Sequence, residues 1–457
     1  MSNDFTLVPV VDEGLGNSTY LLDLGEGRAL VLDPERDLRR VRTEAQTRNL
    51  TIAYAVETHL HADFISGARE LAALDGATVL APDVGPRGFD VTALADGDTV
   101  ELGAFTLQAL FTPGHSPEHL SYLLYEGDRL LGVFTGGSLM VGTAGRTDLV
   151  SPDRTVPLAR AQYHSLQKLM ELPDDTPVWP THGAGSFCSS SLTGDRVSTI
   201  GKERATNPLL QVAGEDEFVD ALLDSLGTFP DYFLRLGEIN HKGPAILGAT
   251  PALTPLSTDE IDDLVADGAQ LVDVRAAADY AAGHIPGALS ITLRPVFATW
   301  LGWLVDPNRP VIIVRDVVQD PDDIAWEAAK VGFDSLAGEL DGGMKAWRGS
   351  TEPAATIELL DADRLATTSP ATLLDIRQRG EFASGHVPGA RHIELGALRA
   401  HLDELPDGPV AVMCGHGERA MSAASILENA TRTDVRVLAG CPADYARAMG
   451  QELRGEE

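Results

Sequence analysis

Cysteine is nearly missing from this chain, with three residues, 188, 414 and 441, in 457. That is too few and too scattered for a disulfide framework, so each is expected to be reduced. Basic side chains are also scarce: 35 Lys and Arg stand against 68 Asp and Glu, for a formal charge of −33. Such a surface repels a phosphate backbone or an anionic membrane, which argues against nucleic acid and membrane partners. No apolar run approaches the roughly 18 residues of a membrane span, and Met1-Ser2-Asn3-Asp4 has neither a basic region nor an apolar core. A cytoplasmic location is the expectation.

What is present is ordinary globular composition, 44% hydrophobic and 23% charged, on a chain long enough for roughly two to four domains. The apolar run from Ile52 to Val56 leads into Thr58-His59-Leu60-His61-Ala62-Asp63-Phe64. On extended backbone His59, His61 and Asp63 share one side, a chelating comb on the loop leaving a buried strand. Two more strand ends carry histidine: Pro113-Gly114-His115-Ser116-Pro117-Glu118-His119 and Thr181-His182-Gly183-Ala184-Gly185.

These clusters resemble the metallo-β-lactamase superfamily over roughly residues 5 to 245. Ala62-Asp63, Pro113-Gly114-His115 and Gly145-Arg146-Thr147-Asp148 are most similar to persulfide dioxygenases and their rhodanese fusions. The resemblance implies an αββα sandwich and a metal. Two positions depart from the family: Phe64 replaces a histidine, and Gly137 stands where an aspartate usually binds or bridges metal. A dinuclear centre is therefore not expected. His59, His61 and His115 form the expected metal set, with Asp63 and His182 as weaker ligands or as partners that orient them. Fe(II) and Zn(II) both suit such a set. Arg146, supported by Asp148, either contacts an anionic thiol substrate or makes an ordinary salt bridge.

Taken in order, short strands fill residues 5 to 32, a helix covers 38 to 48, and a helix follows the histidine loop from 67 to 74. Strands are expected at 77 to 81, 120 to 125 and 130 to 134, with a hairpin-like pair over 100 to 108, then a helix from 156 to 172 with Leu158, Tyr163, Leu166 and Leu169 on its buried face. This first domain spans 1–247.

Beyond it the chain repeats itself. Asp273-Val274-Arg275 and Gly283-His284-Ile285-Pro286-Gly287-Ala288 recur as Asp375-Ile376-Arg377 and Gly385-His386-Val387-Pro388-Gly389-Ala390, offset by 375 − 273 = 102. Domains over 256–351 and 356–455 follow, each alternating strand and helix around a parallel sheet. In the second, Cys414-Gly415-His416-Gly417-Glu418-Arg419 is a loop between strand 410 to 413 and helix 420 to 428. Amide groups and a helix N-terminus there stabilise a thiolate. The repeats resemble rhodaneses, which implies that Cys414 carries sulfane sulfur, that Gly415, His416, Gly417 and Glu418 form the persulfide loop, and that Arg419 shapes it. In the first repeat, strand 311 to 314 runs into Arg315-Asp316, with no cysteine, so that copy should be silent. Cys188 and Cys441 read as packing residues.

The leading expectation is oxidation of a low-molecular-weight thiol persulfide to sulfite, coupled to sulfurtransfer from a persulfide or thiosulfate through Cys414. A mononuclear zinc hydrolase, or a metal-free adaptor carrying an active rhodanese, are the alternatives. A homodimer through the sandwich domain is an expectation of the resemblance alone.

Overall fold

The structure is a computed structural model and describes residues 5–188, 194–348, 353–368 and 370–455. The chain packs as two compact units, residues 1–250 with 326–334, and residues 251–325 with 335–457.

Unit 1 is built on two six-stranded sheets. The first runs in chain order through Leu7–Asp12, Asn17–Gly25, Arg28–Leu32, Thr51–Val56, Thr78–Pro82 and Thr92–Leu94; its first three strands are antiparallel and the rest join in parallel. The second has the order Ser198–Thr199, Pro177–Pro180, Arg129–Gly136, Leu120–Glu126, Phe105–Phe111 and Thr99–Leu102. Alternation along each strand dictates the layering. Tyr20 and Leu22 join Leu107, Tyr122, Leu124 and Phe134 in the core shared by the two sheets. Their neighbours point the other way: Leu21 and Val31 meet Val41 and Leu71 from helices Arg39–Thr47 and Ala68–Asp75, while Leu123 and Val133 meet Leu166, Phe218 and Leu222 from Pro152–Leu169 and Glu215–Ser225. The result is the αββα sandwich expected, with strands ending together where the histidine loops leave them.

Unit 2 holds two five-stranded parallel sheets of one topology. Their orders are Pro255–Leu256, Gly338–Leu340, Val311–Val314, Gln270–Asp273, Leu289–Ser290 and Glu358–Leu360, Val435–Leu438, Val410–Met413, Thr372–Asp375, Arg391–His392. The repeated motif is a buried clamp. Arg275 Nη2 donates to Asp273 at 2.6 Å and to Gly283 O at 2.8 Å; Arg377 Nη2 donates to Asp375 at 2.7 Å and to Gly385 O at 2.8 Å. Each histidine of the second motif stacks on the aromatic four residues earlier, His284 on Tyr280 at 3.8 Å and His386 on Phe382 at 4.0 Å.

Residues 326–334 belong by sequence to the first repeat, yet they pack within unit 1. Hydrogen bonds explain why. Ile65 N donates to Lys330 O at 2.7 Å, Lys330 Nζ is paired with Asp12 at 2.5 Å and Glu327 at 2.6 Å, and Arg36 meets Asp334 at 3.1 Å. Lys330 is buried, and the Asp12 and Glu327 charges outweigh burial and raise its pKa. The histidine loop is thus tied down by backbone that belongs by sequence to the first repeat. Among the described residues no helix is long and apolar enough to cross a membrane.

Candidate metal and sulfur sites

The histidine loop begins where strand Thr51–Val56 ends beside Arg28–Leu32, and one carboxylate fixes its exit. Asp33 accepts from Thr58 N and Thr58 Oγ1, both at 2.8 Å, and from the Thr181 hydroxyl, drawing the first and last histidine loops together. It sits fully buried at φ 47, a strained conformation for a residue with a side chain, held by this network. Burial pushes its pKa up, but His61 and these hydrogen bonds lower it overall, so it is a carboxylate. Asn240 braces the same loop, donating to His61 O and Phe64 O at 2.8 Å and accepting from Ser66 N at 2.9 Å.

Within this frame His59, His115 and His182 bring ligand atoms within 4.8 Å of one another, all buried. Each ring is held through Nδ1: His59 by Thr58 Oγ1 at 2.8 Å, His115 by Arg146 O at 2.8 Å, His182 by Asn17 Oδ1 at 2.8 Å. His59 Nε2 and His182 Nε2 face each other at 3.3 Å. Imidazoles fixed through one nitrogen, with the other turned to a common point, are the donor arrangement a divalent ion requires. Burial, then neighbouring imidazoles, depresses the pKa of His59; burial and then His182 take His115 down to about 3. Both rings are neutral, as ligands must be.

The expected trio differs from this set in one member. His61 pairs its Nε2 with Asp33 at 3.2 Å and stacks on Phe64 at 4.2 Å, while His182 is the third member of the group around His59 and His115. His61 instead groups with Asp63 and His182. Asp63 Oδ2 accepts from Asn17 Nδ2 at 2.8 Å; burial raises its pKa, but His182, His61 and Asn17 bring it to about 2. His61 Nδ1 and Asp63 Oδ1 are buried without a hydrogen-bond partner among the described residues. The donor chemistry of the histidine set therefore fits a divalent ion. It does not fit a carboxylate at position 137: a Cβ there would stand 2.2 Å from His115 Cδ2. Gly136, at φ 51, would place its Cβ 2.5 Å from His119 Nε2. His119 fills that space, accepting from Gly137 N at 3.0 Å through Nε2 and pairing with Thr112 Oγ1 at 3.0 Å through Nδ1. Both its ring nitrogens are occupied.

Arg146, expected to contact substrate or to make a salt bridge, is buried and makes the salt bridge. Its Nε and Nη2 donate to Asp148 at 2.7 and 2.8 Å, its Nη1 to Phe187 O and its Nη2 also to Gly227 O, while Phe229 lies 4.4 Å beneath it. Cys188 is buried nearby, its thiol pKa pushed up by burial and then by Asp63, which suits packing rather than relay.

The second site lies at the end of strand Val410–Met413. Cys414 Sγ accepts from Gly417 N at 3.1 Å and Ala420 N at 3.3 Å, so backbone dipoles aim at the sulfur. Gly417, at φ 98, makes the turn possible, and the helix starts at Glu418, two residues earlier than expected. Glu418 and Arg419 are thus its first turn, while Gly415 and exposed His416 form the open part of the loop. Arg419 is clamped by Glu381 at 2.6 and 2.7 Å. In the first repeat Val314 pairs with Asp273 as Met413 pairs with Asp375, which puts Arg315 where Cys414 stands. Arg315 is bound by Glu339, Asp316 O and Gln319 O, closing that loop on itself. Cys441 stands at the N-terminus of helix Pro442–Ala448, its backbone N and its Sγ both donating to Asp444 Oδ2 at 3.1 Å, a firmer role than filler.

Asp33, Asn17, His119 and Asn240 were missed as site residues in the sequence. Asp33-Pro34 reads as a strand-ending turn and Asn17 as a hairpin residue. Only the second histidine of His115-x-x-x-His119 offered a signal.

Comparison with known proteins agrees with this fold. The Metallo-beta-lactamase superfamily model matches residues 12–182, and the Rhodanese-like domain model matches 257–350 and 357–446. The chain belongs to the metallo-β-lactamase superfamily and carries two rhodanese-like domains in tandem. Its first domain is of the persulfide dioxygenase type: it is 32% identical over 209 residues to the mitochondrial persulfide dioxygenase of Homo sapiens, covering 44% of this chain and 74% of that protein. A hydroxyacylglutathione hydrolase of Gloeobacter violaceus is 34% identical over 223 residues, covering 43% and 84%. A crystal structure of a metallo-beta-lactamase from Staphylococcus aureus subsp. aureus COL superposes with a TM-score of 0.67 at 28% identity, over 74% of this chain and 99% of that one. The chain is an enzyme.

Proposed function

We propose that the chain oxidises the outer sulfur of a low-molecular-weight thiol persulfide to sulfite in its first domain, and moves sulfane sulfur through Cys414 in its last. The observation that carries the first half is the convergence of His59, His115 and His182, each fixed through Nδ1. The overall change balances as RSSH + O2 + H2O giving RSH, hydrogen sulfite and a proton. An Fe(II) ion held by these histidines would supply oxygen activation, whereas Zn(II) would favour hydrolysis. The chain's own groups do the rest. Asp33 and Asn240 hold the loop, neutral imidazoles leave their free nitrogens available, and the buried walls keep bulk water from the reacting sulfur. Resemblance to a persulfide dioxygenase supports oxidation over hydrolysis.

In the second half, the Cys414 thiolate attacks the outer sulfur of thiosulfate or a persulfide. The S–S bond breaks, sulfite or a thiolate departs with its electron pair, and an enzyme persulfide forms. An acceptor thiolate then attacks that sulfur and Cys414 leaves as thiolate. Gly417 N and Ala420 N hold the anionic sulfur, and Arg419, steadied by Glu381, faces the incoming charge. Elemental analysis of His59→Ala/His115→Ala tests the metal site. Metal bound to the native protein and missing from this variant is expected; equal content in both would place the ion elsewhere.

A further inference from the structure

The acidic chain carries a cleft of the opposite sign. Between the two repeats of unit 2 a cavity of about 510 Å3 is walled by Leu271, Leu289, Leu402 and Ile426 and carries Arg309 and Arg399. No aspartate or glutamate lines it among the described residues, although the chain has 68. Arg309 Nε donates to Gly268 O at 2.7 Å, leaving its two Nη groups without a partner among the described residues. Arg399 makes no hydrogen bond or ion pair among them. Its guanidinium, though largely exposed by area, has its pKa lowered by partial burial and then by the Arg309 charge. Two like charges facing one cleft repel each other, and an anion between them would turn that cost into attraction. We propose that this cleft binds a small amphipathic anion, a phosphate or sulfonate head held by Arg309 and Arg399 with an apolar tail along Leu271, Leu289, Leu402 and Ile426. The volume suits such a ligand, and guanidinium forks match an oxyanion. The site is separate from the sulfur chemistry: Ile426 lies eight residues beyond Glu418, about 12 Å along the helix that starts at the Cys414 loop.

Titration calorimetry of the full chain with octyl phosphate and octane-1-sulfonate, below their micellar concentrations, tests this. Both are expected to bind at least about tenfold more tightly than inorganic phosphate or octanol, since head and tail each contribute. Arg309→Met/Arg399→Met should weaken both by about tenfold or more while sulfurtransfer at Cys414 stays at the native rate, which shows the variant folded. On the unmodified protein, raising salt from about 0.05 to about 0.5 M should weaken octyl phosphate but leave octanol unchanged. Absence of binding by both amphiphiles, affinity unchanged in the double variant, or affinity indifferent to salt would each overturn the proposal.

Discussion

The two rhodanese-like repeats share a sheet order, a clamp and a stacked histidine, and differ where chemistry happens. Asp273–Arg275 and Asp375–Arg377 are the same buried ion pair built on the same turn. One strand end then delivers a cysteine whose sulfur receives two amide hydrogens; the other delivers an arginine that closes its loop. The difference teaches that the scaffold tolerates loss of the site. The helix after the silent loop, Pro321–Lys330, instead ends among the residues that hold the histidine loop of unit 1.

The comparison breaks most visibly at the nucleophile. Cys414→Ser should lower sulfurtransfer by about 10^3-fold or more without touching oxygen uptake, read by thiosulfate:cyanide assay and oxygen electrode. Arg315→Cys in that background should restore nothing, because among the described contacts no pair of amides is aimed at position 315 as Gly417 N and Ala420 N are at Cys414. Next in size are the clamps. Asp273→Ala and Asp375→Ala each strand a buried guanidinium and should cost about 3–5 kcal/mol in denaturant unfolding, by similar amounts if the repeats are equivalent. Lys330→Met should remove about 3 kcal/mol and speed metal release to a chelator, with Cys414 chemistry intact. Smallest is Glu381→Gln, which loosens Arg419 and should slow sulfurtransfer about tenfold. Burial raises the Glu381 pKa, but Arg419 lowers it overall. The native ion pair is therefore complete above the ordinary glutamate range and is lost as pH falls through the lowered folded value. The Gln variant should lack that acid limb.

Much of this was legible in the sequence, because histidines at strand ends and a tandem 102-residue repeat are local patterns. The Cys414 loop and the alternation of strand and helix follow from strand periodicity and turn residues, while the αββα layering was what the resemblance implied. Which histidine gathers with His59 and His115 was not legible. That choice depends on Asp33, which reaches His61 from a neighbouring strand, and on Asn17, which orients His182 across 165 residues of chain. Sequence spacing carries no trace of such contacts. Position 137 was legible as a lost ligand, but its cause, His115 occupying the room a side chain there needs, appears only in three dimensions. The role of residues 326–334 was hidden for the same reason.

The central claim is that imidazoles gathered from three loops support oxidation of a persulfide. Oxygen uptake by the metal-replete protein, measured together with sulfite formed from a thiol persulfide, tests it most directly. One oxygen consumed per sulfite released, lost in His59→Ala/His115→Ala and kept in Cys414→Ser, is the predicted result. Sulfurtransfer at the native rate with no oxygen consumed by the metal-replete chain would contradict it.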